Sequence, residues 1–408
     1  NRSAYRPRLL QARLQSSLAE FPIVVVTGAR QTGKSTLVQR GVGGGSRTYL
    51  TLDDPDLLAL ALAEPDALLK REGVLTLDEV QRAPELLRAV KRSVDAKKAV
   101  GAYLLTGSAN LLLMRRISES LAGRALHLVL LPLTRGEQLG NGDAGCWGKL
   151  LQEPPDDWPA LIEAHGRSRS DWRPLARHGG YPTPALELGT IDARRAWFAG
   201  YTQTYLERDL REVANVSSLP DFRRLMRACC LRLGSLVNQS EISRDIGMPQ
   251  PTVHRHLGAL EVSHQLVRLP AYSVNRTKRL IKSPKLYWSD TGLALYLAGE
   301  TEPRGPHLEN LILGDLPAWQ AEQIEMVDLA HWRTTTGEEV DFVVESAGRV
   351  LPIEVKSSAR LRRGDSRGVA TFLDEYADRA SAGLVLHTGS QMSWVRERVL
   401  AAPWWRVL

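Results

Sequence analysis

The residues with the clearest chemical meaning lie between Ile23 and Thr36, which read IVVVTGARQTGKST. A β-branched run meets Gly28, four residues follow, and then come Gly33, Lys34 and Ser35. This is the G-x-x-x-x-G-K-[ST] spacing of a phosphate-binding loop. Its glycines let the backbone wrap tightly, so that N–H groups along Gly28, Ala29, Arg30, Gln31, Thr32, Gly33, Lys34, Ser35 and Thr36 converge on phosphate oxygens. The helix that starts near Gly33 adds its positive end. Lys34 is spaced to reach the β- and γ-phosphates of ATP, and the Ser35 hydroxyl to ligate Mg²⁺. A second acidic element, GVLTLDEVQ from Gly73 to Gln81, ends an apolar run on Asp78 and Glu79. Asp78 fits the Mg²⁺ shell, and Glu79 fits the role of orienting and polarising the attacking water.

Three more sets of residues have chemical potential. Ser108 and Asn110, in AYLLTGSAN, follow another apolar run, where they read either as γ-phosphate sensors or as a turn with a helix cap. Arg124 stands just before LHLVL; an arginine there fits a finger that neutralises charge in phosphoryl transfer, with Arg115 and Arg116 as rivals. Near the C-terminus, Asp341 opens DFVVE, and PIEVKS carries Glu354 and Lys356 at i and i+2, on one face of a strand. With Glu309 as a helical addition, this is the D…E-x-K layout of the restriction-endonuclease fold, in which acids bind Mg²⁺ beside a scissile phosphate. Val340 stands where that layout has its proline. The set reads either as an active nuclease site or as a nuclease-like fold kept for assembly and DNA holding.

The elements that must position these groups follow from the patterning. Short apolar runs at Ile23–Val26, Arg47–Asp53, Val74–Leu77, Ala102–Thr106 and Ala125–Leu130 alternate with helical stretches, which predicts a parallel sheet with its ligand at the strands' C-terminal ends. From Gly140 to Pro184 the texture turns rich in Gly, Pro and Trp with little periodicity, the reading of an irregular connector. From Phe222 to Trp288 the pattern is helix, helix, helix and wing. QPTVHRHLGAL puts Val253, Leu257 and Leu260 inward and leaves His254, Arg255 and His256 facing out, as on a helix that enters the major groove. Between Leu266 and Trp288 stand Arg268, Arg276, Lys278, Arg279, Lys282 and Lys285 with no acidic residue, a basic wing suited to DNA phosphates.

Composition sets limits on the class of protein. The chain has 408 residues, enough for two to four domains at roughly 100–200 residues each. Hydrophobic residues at 43% and charged residues at 24% exclude a mainly disordered chain. No stretch approaches the ~20 apolar residues of a membrane span, and the run from Phe21 to Val26 is too short for a secretory signal. Three cysteines with no C-x-x-C pair exclude a disulfide framework and fit the cytoplasm. The net charge of +7 is modest, so its clustering says more than its sum.

The ordered series GARQTGKSTL, LDEVQ, LTGSANLLL, ESLAGR, GGYPTPAL, YLERDL, KSPKLYWSDTGL, HLENLI, EVDFVVE and PIEVKSS resembles the bacterial and archaeal AAA-type ATPases that carry a C-terminal domain of unknown function. The resemblance implies ATP binding and hydrolysis and assembly into a ring or filament. The expected architecture is α/β: an AAA-type P-loop domain over 1–140, connector helices over 141–220, a winged helix over 221–290, and a restriction-endonuclease-like α/β domain over 291–408. The expected function is an ATP-driven, DNA-remodelling motor, a homo-oligomer in a hexameric ring acting on branched or forked DNA in repair or recombination. A metal-dependent nuclease and a nucleotide-controlled assembly switch are the alternatives.

Overall fold

The computed structural model describes residues 5–42, 47–70, 73–97, 99–107, 121–206, 218–275 and 282–408. Its N-terminal sheet comprises β1 (Ile23–Thr27), β2 (Arg47–Thr51), β3 (Val74–Asp78), β4 (Tyr103–Thr106) and β5 (Ala125–Val129), in the order β2-β3-β4-β1-β5. Every pairing is parallel. All five residues of β1 are buried, as expected of a strand covered on both faces. Ile23 and Val25 join one apolar cluster with Leu75, Leu77 and Val90, while Val24 and Val26 join another with Leu10, Leu14 and Leu37. That alternation is the period-two geometry of a strand. It brings the C-terminal ends of β1, β4 and β3 side by side.

Residues 140–184 are not irregular. They form short helices at Trp147–Gln152, Trp158–Ala164 and Trp172–His178, each six or seven residues long and each seated on a buried tryptophan. A helix of two turns shows almost no periodicity, which is why the pattern read as a loop. Trp147, Trp158 and Trp172 share one core with Leu316, Phe342, Ile353, Leu384 and Trp404. Asp315 fixes this join by accepting hydrogen bonds from Gly145 N and Trp147 Nε1, both at 2.7 Å.

The middle unit contains helices Leu219–Cys230, Gln239–Ile246 and Gln250–Val262, followed by the antiparallel pair β6 (Leu266–Leu269) and β7 (Lys285–Trp288). Its core includes Leu225, Met226, Ile242, Val253, Leu257, Leu286 and Trp288. The C-terminal unit opens with helix Gly305–Glu322 and continues through the antiparallel β8 (Val327–Arg333), β9 (Glu339–Ser346) and β10 (Arg349–Lys356). After helix Arg367–Glu375, β11 (Gly383–His387) pairs parallel with β10, and β13 (Val399–Pro403) parallel with β11. The edge strand β12 (Ser393–Arg396) runs antiparallel to β13. Among the described residues no helix is long and apolar enough to cross a membrane.

Candidate active site

The loop after β1 has the backbone its glycines require. Gly28 has φ +148°, and a Cβ there would lie 2.2 Å from the carbonyl oxygen of Leu130. Gly33 has φ +94° and precedes helix Lys34–Arg40. Gln31 is left-handed at φ +64° despite its side chain. Lys34 is buried, and its ammonium donates to the carbonyls of Gly28 at 3.1 Å and Ala29 at 2.9 Å. Thr32 Oγ1 donates to the Ala29 carbonyl at 2.9 Å. Ser35 is half-buried and Thr36 exposed on the first turn of the helix.

Arg8 was not singled out in the sequence, yet it braces this loop. Its guanidinium donates to the Thr32 and Leu131 carbonyls, both at 2.7 Å, and to Glu137 at 2.9 Å. Glu137 also closes a capping box with Thr134. The T-x-x-E spacing is the sequence signal for that box.

Across β4, Asp78 ends β3 with its carboxylate buried. It accepts hydrogen bonds from Tyr49 Oη on β2 and Thr106 Oγ1 on β4. Those two hydroxyls also went unnoticed in the sequence, because they come from neighbouring strands. Glu79 is left-handed at φ +60° and accepts from Gln81 Nε2. Burial raises its pKa, against the opposing pull of the Gln81 hydrogen bond and the Lys34 charge. Lys34 and Glu79 follow β1 and β3, whose C-terminal ends lie on the same side of the parallel sheet. Such a glycine-lined cradle, with a lysine on one side and two carboxylates on the other, fits a polyphosphate with its cation.

A family described as an AAA domain matches residues 20–139. Domains of unknown function, DUF8612 and DUF4143, match residues 169–304 and 304–407. Two mycobacterial proteins, Rv2008c of Mycobacterium tuberculosis and Mb2031c of Mycobacterium bovis, are each 32% identical to this chain over 358 residues, 85% of it and 73% of theirs. The chain belongs to the AAA-type P-loop ATPases. Solved structures with a likeness include a Walker-type ATPase of Pyrococcus abyssi, at 16% identity and TM-score 0.45 over 72% of this chain and 98% of that one. Another is RuvB of Thermotoga maritima, at 17% identity and TM-score 0.28 over 64% and 89%.

Elsewhere in the ATPase, Ser108, Asn110, Arg115 and Arg116 lie outside the described residues, as do Arg276, Lys278 and Arg279. Arg124 is one-third exposed and pairs with Asp95 through Nε at 2.5 Å and a second nitrogen at 3.1 Å. It precedes β5, whose first residue, Ala125, is in register with Ile23. Arg124 therefore stands at the opposite end of the strands from its own phosphate loop, roughly 16 Å away at about 3.3 Å per residue.

On helix Gln250–Val262, His254 and Arg255 are exposed, as expected. His256 is not: it is buried with its ring edge-on to Phe222, centroids 5.2 Å apart. Lys282 is exposed. Lys285, expected on a DNA-facing wing, is the larger correction. It is 2% exposed and pairs with Asp341 at 2.8 Å and with Glu339. Burial opposes its charge, but Asp341, Glu339 and Glu309 outweigh it and hold its pKa above the ordinary value.

Lys285 thus belongs to the C-terminal acidic set. Asp341 Oδ2 accepts from Val355 N at 2.9 Å. Lys356 Nζ donates to Glu354 Oε1 at 2.5 Å, and Glu354 Oε2 is buried with no hydrogen-bond partner among the described residues. Glu309 accepts from Tyr287 Oη at 3.1 Å, and burial, then Asp341, pushes its pKa up to about 8. The same two causes raise Glu354. Among the described residues, no three acidic, His or Cys side chains are arranged to hold a metal ion. The cations of this set are two lysines. The three cysteines are buried and free, and burial pushes the Cys146 and Cys229 thiols up to about 12, far from nucleophilic use.

Proposed function

We propose that this ATPase is a DNA-binding motor that works as a ring of identical subunits. The supporting observation is a shared core. Ala29 of the phosphate loop belongs to the same apolar cluster as Val253 and Leu257. Those two residues seat the helix whose outer face carries His254 and Arg255. Packing of this density transmits displacement, so a loop that tightens on phosphate moves a DNA-facing helix. Three helices and a hairpin make a winged-helix order, with the third helix as the one that enters the major groove. Lys282, and in sequence Arg276, Lys278 and Arg279, extend positive charge beside it.

In the hydrolytic step, Lys34 neutralises the β- and γ-phosphates and Glu79 orients the attacking water. Ser35 and Asp78 would hold Mg²⁺, whose chemistry is to neutralise phosphate charge. Ser108 and Asn110 follow β4 in sequence and fit the role of sensing the γ-phosphate. Arg124 stands too far from its own loop to assist there, which favours service to the site of a neighbouring subunit. The test is the ATP hydrolysis rate with single-stranded, duplex, forked and four-way-junction DNA, with Lys34→Ala as the blank. Stimulation by one form, lost in Arg255→Ala, supports the motor. A slow rate indifferent to every DNA overturns it in favour of a nucleotide-held assembly switch.

A metal-dependent nuclease is the second reading, and the unpartnered Glu354 Oε2 favours it, since a buried acid oxygen left alone is costly. Lys285 weighs against it by already neutralising Asp341. DNA cleavage with Mg²⁺ or Mn²⁺ that disappears in Asp341→Ala and Lys356→Ala supports this reading; intact DNA under both metals rejects it.

A further inference from the structure

A cavity of about 540 Å³ opens among helices Trp172–His178, Ile191–Tyr201 and Thr291–Ala298, with the turn Glu300–Glu302 as its remaining wall. Its lining includes no residue of the phosphate loop and none of the C-terminal acidic set. The size falls within the roughly 300–1,000 Å³ of small-molecule sites. The walls are held by close packing. A Cβ on Gly292 would stand 2.7 Å from the Phe198 ring and 2.8 Å from the Arg177 carbonyl oxygen, so only glycine lets these helices approach.

One side of the cavity is apolar. Phe198 and Leu295 are buried, Tyr296 is half-buried, and the Phe198 and Tyr296 rings stack with centroids 6.2 Å apart. Ile191, at the opening, is 59% exposed. The other side is cationic. Arg194 is fixed by donating from Nε to the Pro184 carbonyl at 2.9 Å and from Nη2 to the Leu188 carbonyl. Arg177 donates from Nε to the Thr301 carbonyl at 3.1 Å and from Nη2 to Glu302 at 2.6 Å. Arg195 is exposed. Of the two acids in the lining, Glu302 is taken by Arg177 and Glu300 by Arg304. Among the described residues, Arg194 and Arg195 have no carboxylate partner. His178 lies in the same wall; burial, then the charges of Arg194, Arg177 and Arg135, push its imidazole down to about 4.

We propose that this cavity is a binding site for a small aromatic anion. The flat body lies on Phe198, Leu295 and Tyr296, and a phosphate or carboxylate head is held by Arg194 and Arg195. Guanidinium groups suit either head, because their planar N–H fork matches paired oxygens. Two guanidiniums already fixed on backbone carbonyls lose little freedom when a ligand arrives. The site is distinct from the nucleotide cradle. The chain from Gly179 to Pro182 runs from one to the other: Gly179 N lies 3.0 Å from a Cβ placed on Gly292, and the Pro182 ring 3.8 Å from a Cβ placed on Gly33.

The test is titration calorimetry of the full chain with 1-naphthyl phosphate and 1-naphthoate, its phosphate loop first saturated with Mg²⁺ and ADP. One saturable site is expected, and the tighter of the two ligands identifies the head group. Arg195→Gln and Ile191→Glu alter exposed positions, so the fold should survive both. Each should weaken binding by about tenfold, the scale of losing a hydrogen bond to a charged group or of setting a like charge beside the anion. Arg244→Gln, an exposed arginine on helix Gln239–Ile246, should change nothing. The proposal is overturned if neither anion saturates, if both cavity variants bind as the parent does, or if Arg244→Gln loses as much as Arg195→Gln. It also fails if 1-naphthylmethylamine binds as well as the anions, or if inorganic phosphate binds as well as 1-naphthyl phosphate, since then the charge or the apolar wall plays no part.

Discussion

The molecule carries two sets of paired carboxylates, and their neighbours make them opposites. Asp78 and Glu79 stand at a strand end beside hydroxyls and an amide from Tyr49, Thr106 and Gln81. The cations whose charge reaches Glu79 are Lys34 and Arg30, and the Lys34 ammonium donates to the backbone carbonyls of Gly28 and Ala29 rather than to either acid. Asp341 and Glu354 have the same chemical types, but each has its own lysine, Lys285 and Lys356. One of those lysines, Lys285, arrives from β7 of the middle unit. Carboxylates do not announce their role; the location of the compensating charge does.

The largest expected effect tests the first set. Lys34→Ala and Glu79→Gln should each lower ATP turnover by at least about a hundredfold, the scale of losing a group that acts on the transferring phosphoryl. Steady-state phosphate release measures it, and turnover within a few fold of the parent would erase the contrast. Next comes the internal charge of the second set. Lys285→Ala leaves Asp341 and Glu339 uncompensated and should cost about 3–5 kcal/mol in urea unfolding, the scale for breaking a buried pair. Stability within about 1 kcal/mol of the parent would put Lys285 back among solvent-facing residues.

A pH experiment sharpens the contrast further. Glu309 is raised to about 8 in the fold from an ordinary 4.5. Above the lower value the unfolded chain releases a proton that the fold retains. Stability should therefore fall as pH climbs from about 4.5 to about 8 and level off beyond it. Glu309→Gln should flatten that slope; an identical slope in the variant rules Glu309 out as its source. Smallest is Tyr49→Phe, which removes one of the two hydroxyls on Asp78 and should cost about 1 kcal/mol of stability by thermal melting. A loss of several kcal/mol would mean that the first set, too, is chiefly structural.

Much of this was legible in the chain. The phosphate loop, the Asp78–Glu79 pair and the order of apolar runs follow from local spacing, and local spacing is what a sequence displays. The failures are of the complementary kind. Lys285 sits in a stretch with six basic and no acidic residues, and its partners Glu339 and Asp341 are far along the chain. Nothing local distinguishes it from Lys282. The polarity of His256 suggests an outward place, but its spacing from Val253 and Leu260 puts it on the inner face, where it meets Phe222. Arg8 and Glu137 meet across the sheet's end.

The tryptophan helices carry a consequence for how the chain comes into being. Trp147, Trp158 and Trp172 are covered by strands and side chains that extend to Trp404 and Leu408. During synthesis, at about 5–20 residues per second, these indoles wait roughly ten to fifty seconds for the chain that buries them. The phosphate-loop sheet is complete by Val129 and has no such wait. A ribosome therefore displays a finished N-terminal sheet trailed by naked aromatic surface, the kind of interval in which a chaperone earns its place.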